Sequence, residues 1–126
     1  MNIVRTAFVA LSVAGIAAAG SGVASADGGT YLHLDRTTVT TGDTVRVVAR
    51  CSDGEGLNFV GSEAFSPTGD DGPYQGNGGV VPFHDEADGG LKGSTVVRAD
   101  VAPGVYHVGQ RCGGGNAGGV DLTVTP

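Results

Sequence analysis

The sequence predicts an all-β sandwich, and three observations lead there. Apolar and polar residues alternate with period two through residues 27–126, and no stretch carries an apolar stripe at helical spacing. Turn-forming Gly, Pro and Asp also recur at short intervals. About seven short strands fit this pattern.

The strands are expected in the following order. Thr30 to Leu34 and the short Thr37 to Val39 come first. Gly42-Asp43 then supplies a turn into Thr44 to Cys51, which places Val45, Val47, Ala49 and Cys51 on one face and Thr44, Arg46 and Arg50 on the other. Asn58 to Phe65, Gly79 to His84 and Gly93 to Val101 follow, the last with Thr95, Val97, Ala99 and Val101 inward. In Val105 to Cys112, parity groups Tyr106, Val108 and Cys112 and leaves His107 and Arg111 outward. Gly119 to Thr125 closes the chain with Val120, Leu122 and Val124 on one face. Turns are expected at Asp53 to Gly56, Pro67 to Pro73, Asp88 to Gly90, Pro103-Gly104 and Gly113 to Gly118.

Residues 1–26 predict export. Arg5 precedes a charge-free apolar run from Ala7 to Ala19, and Ala24-Ser25-Ala26 places small residues at alternate positions before Asp27. Basic start, apolar centre and small-residue end are the parts of a secretory signal peptide cleaved between Ala26 and Asp27. The domain is then 27–126, secreted to the extracellular space with no membrane association after cleavage. The alternative is retention of the same stretch as an anchor, since no charge interrupts Ala7 to Ala26. Its second half of Gly, Ser and Ala offers little apolar area to lipid. No cysteine stands at the boundary to accept a lipid, and the C-terminus has no hydrophobic tail.

An oxidising destination gives Cys51 and Cys112, the only two cysteines, a reason to pair. Both fall on an inward strand face at a strand end, 61 positions apart, so the bond joins the two sheets and is structural. A redox pair would show close spacing such as Cys-x-x-Cys. Three of the 24 glycines leave with the leader, so 21 remain in about 100 residues, several times the usual share of about 7%. Such a chain loses much conformational entropy on folding. Closing a loop of this length adds about 4 kcal/mol in the chain-entropy description, a large part of a typical net stability.

The formal charge is −6, and loss of Arg5 makes it −7 from 13 acidic and six basic residues. The six cations, Arg36, Arg46, Arg50, Lys92, Arg98 and Arg111, are dispersed singly, with no basic cluster. Nucleic acid is therefore not an expected partner.

Candidate sites each meet a plainer reading. Gly113 to Gly118 spells G-x-G-x-x-G, but a phosphate loop needs a following helix, and a strand is expected there. The acidic groups Asp53/Glu55, Asp70/Asp71 and Asp85/Glu86/Asp88 lack the spacing of a calcium loop and read as solvated turns. His33, His84 and His107 lie on separate strands without metal-ligand spacing, so no metal and no cofactor is expected. Ser62 and Ser94 stand in no nucleophile elbow, so no enzyme activity is expected.

The order Thr37-Thr38-Val39-Thr40-Thr41-Gly42-Asp43-Thr44-Val45, then Cys51, Ala64-Phe65, Ala102-Pro103-Gly104-Val105-Tyr106-His107-Val108, Cys112 and Leu122-Thr123-Val124-Thr125-Pro126 resembles the small secreted immunoglobulin-like proteins of actinobacteria. The resemblance spans most of residues 27–126 and implies an immunoglobulin-like β-sandwich. The chain departs from antibody-type domains in having no Trp, and Tyr106 stands six residues before Cys112 rather than two. Its hydroxyl is expected to reach backbone near the Pro103-Gly104 turn.

The expected function is non-catalytic adhesion or recognition of an unknown protein or envelope component, with a monomer as the expected state. Recognition would use loops at one end or exposed strand edges. The loops at the cysteine end, Ser52 to Leu57 and Gly113 to Gly119, lack aromatic anchors. A second reading is a small-ligand carrier resembling the neocarzinostatin-type apoproteins, on the residues Val108-Gly109-Gln110 before Cys112. A third is a coat component that self-associates through edge strands.

Overall fold

The alternation along Thr44–Arg50 becomes a strand that buries Val45, Val47 and Ala49 and turns Thr44, Arg46, Val48 and Arg50 outward. The same rule builds nearly all of the chain. A computed structural model describes residues 22–26, 29–52, 55–87 and 90–126. Within them lie ten strands: β1 Gly22–Ala26, β2 Thr30–Leu34, β3 Thr38–Val39, β4 Thr44–Arg50, β5 Leu57–Ser62, β6 Gly79–Val80, β7 Phe83–Ala87, β8 Gly90–Val96, β9 Gly104–Cys112 and β10 Gly115–Val124. A 3-10 turn spans Gly72–Tyr74.

The strands form two five-stranded sheets. One runs β1-β2-β4-β8-β7 and the other β3-β10-β9-β5-β6. All pairings are antiparallel except β3 with β10, where Thr38 and Val39 run parallel to Thr123 and Val124. One apolar core lies between the sheets. Leu32, Leu34, Val45 and Val47 of the first sheet meet Val60, Val108, Leu122 and Val124 of the second, with Phe65 and Val97 sealed between them. Each of these is at most 2% exposed, which is the packing that makes apolar burial effective.

Cys51, immediately after β4, is bonded to Cys112 at the end of β9, with their Cα atoms 5.7 Å apart. The bond crosses from one sheet to the other, as the inward parity of both residues requires. Beside it the buried Gln110 donates from Nε2 to the Arg50 carbonyl at 3.1 Å, a second polar tie between the same strands.

Several boundaries differ from the sequence reading. The expected strand Gly79 to His84 is divided, because Val81 still donates to the Val60 carbonyl while Phe83, past Pro82, pairs with Gly93 in the opposite sheet. A proline that cannot donate marks the crossing. The strand expected to reach Phe65 ends at Ser62, whose hydroxyl accepts the Ala64 N–H, and Phe65 rejoins through a bridge to Val97. The strand expected over Gly93 to Val101 occupies Gly90–Val96 instead, and Ala99, expected inward, is exposed. There Arg98 donates to the Glu63 carbonyl and Asp100 carboxylate, turning the chain away.

Gly113 to Gly118 is no long loop. Gly113 and Gly114 have φ of 60° and 86°, and the chain re-enters the sheet at Gly115. Two consecutive left-handed residues make a tight hairpin turn, a place where glycine is required. The second half of the G-x-G-x-x-G run is therefore strand.

Most of the expected leader, residues 1–21, and Asp27 lie outside the described residues. Its last five, Gly22–Ala26, pair in register with Leu34 back to Thr30 as the outermost strand. Cleavage between Ala26 and Asp27 would remove β1 and leave β2 as the sheet edge. No helix among the described residues is long and apolar enough to cross a membrane.

Candidate functional site

Outward positions of β5, β9 and β10 carry glycines in one row. Gly109 faces Gly61 on one side and Gly119 on the other. A β-carbon on Gly61 would stand 2.5 Å from Tyr74 Cε2, and one on Gly119 would stand 2.5 Å from His107 Cε1. The bare backbone thus lets two rings approach the sheet closely, Tyr74 at Gly61 and His107 at Gly119. Gly109, between them, has the Tyr74 hydroxyl and the His107 ring just beyond the place of a β-carbon.

Tyr74 reaches this floor because the segment after β5 folds over the outer face of the sheet. Its anchor is Asp71, a fully buried carboxylate that accepts the Thr68 hydroxyl at 2.6 Å and the Thr68, Gly69 and Val80 N–H groups. The Thr68 hydroxyl above all, with those amides, holds the Asp71 carboxyl below the usual carboxylate range despite its burial. The 3-10 turn then delivers Tyr74, whose ring meets Phe59 edge to face at 5.9 Å.

Phe59 and Arg111 stand opposite each other in register, and Arg111 faces Asn116 on its other side. Together with Tyr74, His107 and Gly109 these residues line a depression of about 220 Å³. Burial raises the Tyr74 phenol above its ordinary pKa, while the nearby Arg111 guanidinium pulls in the opposite direction. His107 Nδ1 lies 3.4 Å from the Asp121 carboxylate at the rim. Arg36, Arg46 and Arg98 each face a carboxylate, Asp43, Asp35 and Asp100 respectively. Arg111 faces none among the described residues, its one described hydrogen bond being a long 3.4 Å contact to the Gly114 carbonyl.

The other sheet carries a different depression, of about 370 Å³, lined by His33, Asp35, Arg46, His84, Lys92 and Ser94 among others. Two cations that are single along the sequence, Arg46 and Lys92, thus line one depression together with the carboxylate of Asp35. Arg46 lies 3.4 Å from Asp35, so the charge there is partly matched. Arg50 belongs to the same face, stacked 5.6 Å from the centre of the Tyr31 ring.

The sequence-singled residues separate clearly. Cys51 and Cys112 are joined. His33 and His84 share that depression, whereas His107 lies on the opposite sheet. Among the described residues no group of three His, Cys, Asp or Glu side chains is placed to hold a metal. Asp71 is an internal anchor rather than the solvated turn expected, and Asp70 beside it is exposed. Asp53 and Asp88 lie outside the described residues. Ser62 is buried on the inner side of β5, while Ser94 lies on the outer face of the other sheet.

Sequence reading missed Phe59, Tyr74 and the unmatched Arg111. Their common signal was faint: an outward aromatic on a strand, another within a loop, and a glycine surplus whose row appears only once strand order is known. Comparisons with protein-family models, curated proteins and solved structures found no match.

Proposed function

We propose that the chain is a secreted, non-catalytic immunoglobulin-like domain that works by recognition, in the extracellular medium or at the cell envelope. The strand order supports the fold assignment. Taken in chain order from β2, the sheets follow the first-second-fifth-fourth and third-sixth-seventh arrangement of an immunoglobulin sandwich, with β3 and β6 as the added short edge strands. The Cys51–Cys112 bond joins the strands that carry the inter-sheet disulfide in such domains. The Tyr106 hydroxyl donates to the Ala102 carbonyl at 2.6 Å, a side chain-to-backbone contact of the same kind as a tyrosine corner, though from six residues before Cys112 rather than two.

The observation that carries the functional reading is the meeting of Phe59, Tyr74, His107 and Arg111 on a glycine floor. Aromatic residues and arginine supply most of the energy in recognition surfaces, and here they gather on a sheet face rather than at the loop tips. The test is capture from the producer's extracellular and envelope fractions with the oxidised protein, expressed from the full chain. Material retained by the wild type should be lost with Tyr74→Ala and with Arg111→Gln. Equal capture by all three proteins would refute recognition through this face.

A small-ligand carrier is the second reading, favoured by the small volume between sheet and loop. Native mass spectrometry of protein taken from the producer's medium separates the two: a co-purifying small molecule supports the carrier.

A further inference from the structure

We infer that the depression over Gly109 is a binding site for a single six-membered ring bearing a carboxylate, a ligand class that rests on the recognition reading above. The volume of about 220 Å³ lies below the roughly 300–1,000 Å³ of drug-sized sites, so one ring and its acid group fill it. At Gly109 the Tyr74 hydroxyl and the His107 ring stand 3.5–3.8 Å from the place of a β-carbon, so these two side chains bound the depression from either side and leave a small space between them and Arg111. The aromatic side walls, Tyr74 and Phe59, offer contact to the apolar C–H surface of a sugar or to another aromatic ring.

The acid group follows from Arg111. An exposed guanidinium presents five N–H donors in a fork that matches a carboxylate, and most of this one's donors have no partner among the described residues. In a chain with 13 acidic residues and seven basic ones, an arginine that faces no carboxylate among the described residues and stands beside aromatic walls is the element that selects an anion. Asn116 opposite it adds a second polar group for ring substituents. A uronic acid residue of an envelope polymer and a free aromatic acid share this chemistry.

The test is an NMR titration of the oxidised protein, expressed from the full chain, with glucuronate and benzoate as probes and glucose and benzyl alcohol as their neutral counterparts. An acid is expected to shift the Gly109, Tyr74 and His107 signals with a Kd on the order of millimolar, as suits so small a ligand. Its neutral counterpart should bind at least tenfold more weakly, and Arg111→Gln should abolish the difference. Gly109→Ala keeps the fold, because the added methyl meets its neighbours at 3.5 Å or more, yet it fills space between Tyr74 and His107 and should weaken every probe. A response to glucuronate alone identifies a sugar acid, and to benzoate alone an aromatic acid.

Acids and neutral rings binding alike, no response from either acid, or discrimination that survives Arg111→Gln would each overturn the ligand class. The recognition reading fails separately, if capture from the producer's fractions ignores Tyr74 and Arg111.

Discussion

The ring of Tyr74 lies on the backbone of Gly61, so close that a β-carbon there would stand 2.5 Å from Tyr74 Cε2 and 3.0 Å from the Gly79 carbonyl oxygen. The covering loop and the sheet are therefore fitted to each other at a position where only glycine serves. Gly61→Ala should destabilise the protein by about 1–3 kcal/mol, the usual range for overpacking. In the Tyr74→Ala background the same substitution should cost less, because the ring is gone and only the carbonyl contact remains. Chemical denaturation of the four proteins checks this, and strict additivity would show that the ring does not rest there.

Asp71 makes stability sensitive to acid. Its folded pKa is depressed by the Thr68 hydroxyl and the surrounding amides, so its contribution is complete above the unfolded value of about 4 and is lost as pH falls through the lower folded value. Thermal unfolding should show a fall in Tm below about pH 4 that is smaller in Asp71→Asn. At neutral pH the same variant should melt several degrees lower, since an amide cannot accept as many hydrogen bonds. A Tm unchanged at pH 7 would mean that the carboxylate is not the anchor.

Tyr106→Phe removes the hydroxyl donor to the Ala102 carbonyl and leaves the ring in place. A loss of about 0.5–1.5 kcal/mol is expected, the net worth of one such hydrogen bond. Equal stability of the two proteins in urea would mean that the corner contact is made equally well by water.

If the chain is cleaved after Ala26 as proposed, loss of β1 would make Thr30–Leu34 an edge strand whose inner neighbour is still β4. Hydrogen exchange on the secreted protein should then show weaker protection over Tyr31 and His33 than over Val45 to Ala49, which lie between two neighbours. Equal protection in both strands would mean that β1, or something in its place, remains paired.

How far the sequence could be read depended on the range of each interaction. Strand parity is local, and it placed Val45, Val47, Ala49, Val108, Leu122 and Val124 inward and put both cysteines where they could meet. The Tyr106 contact was legible because its partner is four residues away. Pro82 was visible, but that the chain changes sheets there depends on Val60 and Gly93, distant in sequence. The glycine row was hidden for the same reason, since Gly61, Gly109 and Gly119 become neighbours only through sheet order. Asp71 looked like an ordinary turn carboxylate because nothing local shows that its donors include the Val80 amide.

Replacing Cys51 and Cys112 together by Ala should lower stability by about 4 kcal/mol in the chain-entropy description, enough to unfold a glycine-rich domain of this size on warming. A variant that melts within a degree or two of the wild type would show that the core suffices alone.

Intact mass after alkylation without reductant, on protein recovered from the producer's medium, addresses the fastening of the two sheets most directly. The expected species begins at Asp27, carries no alkyl group and is two hydrogens lighter than the reduced chain. Two alkylated thiols, or a mass that still includes residues 1–26, would contradict a secreted sandwich held by the Cys51–Cys112 bond.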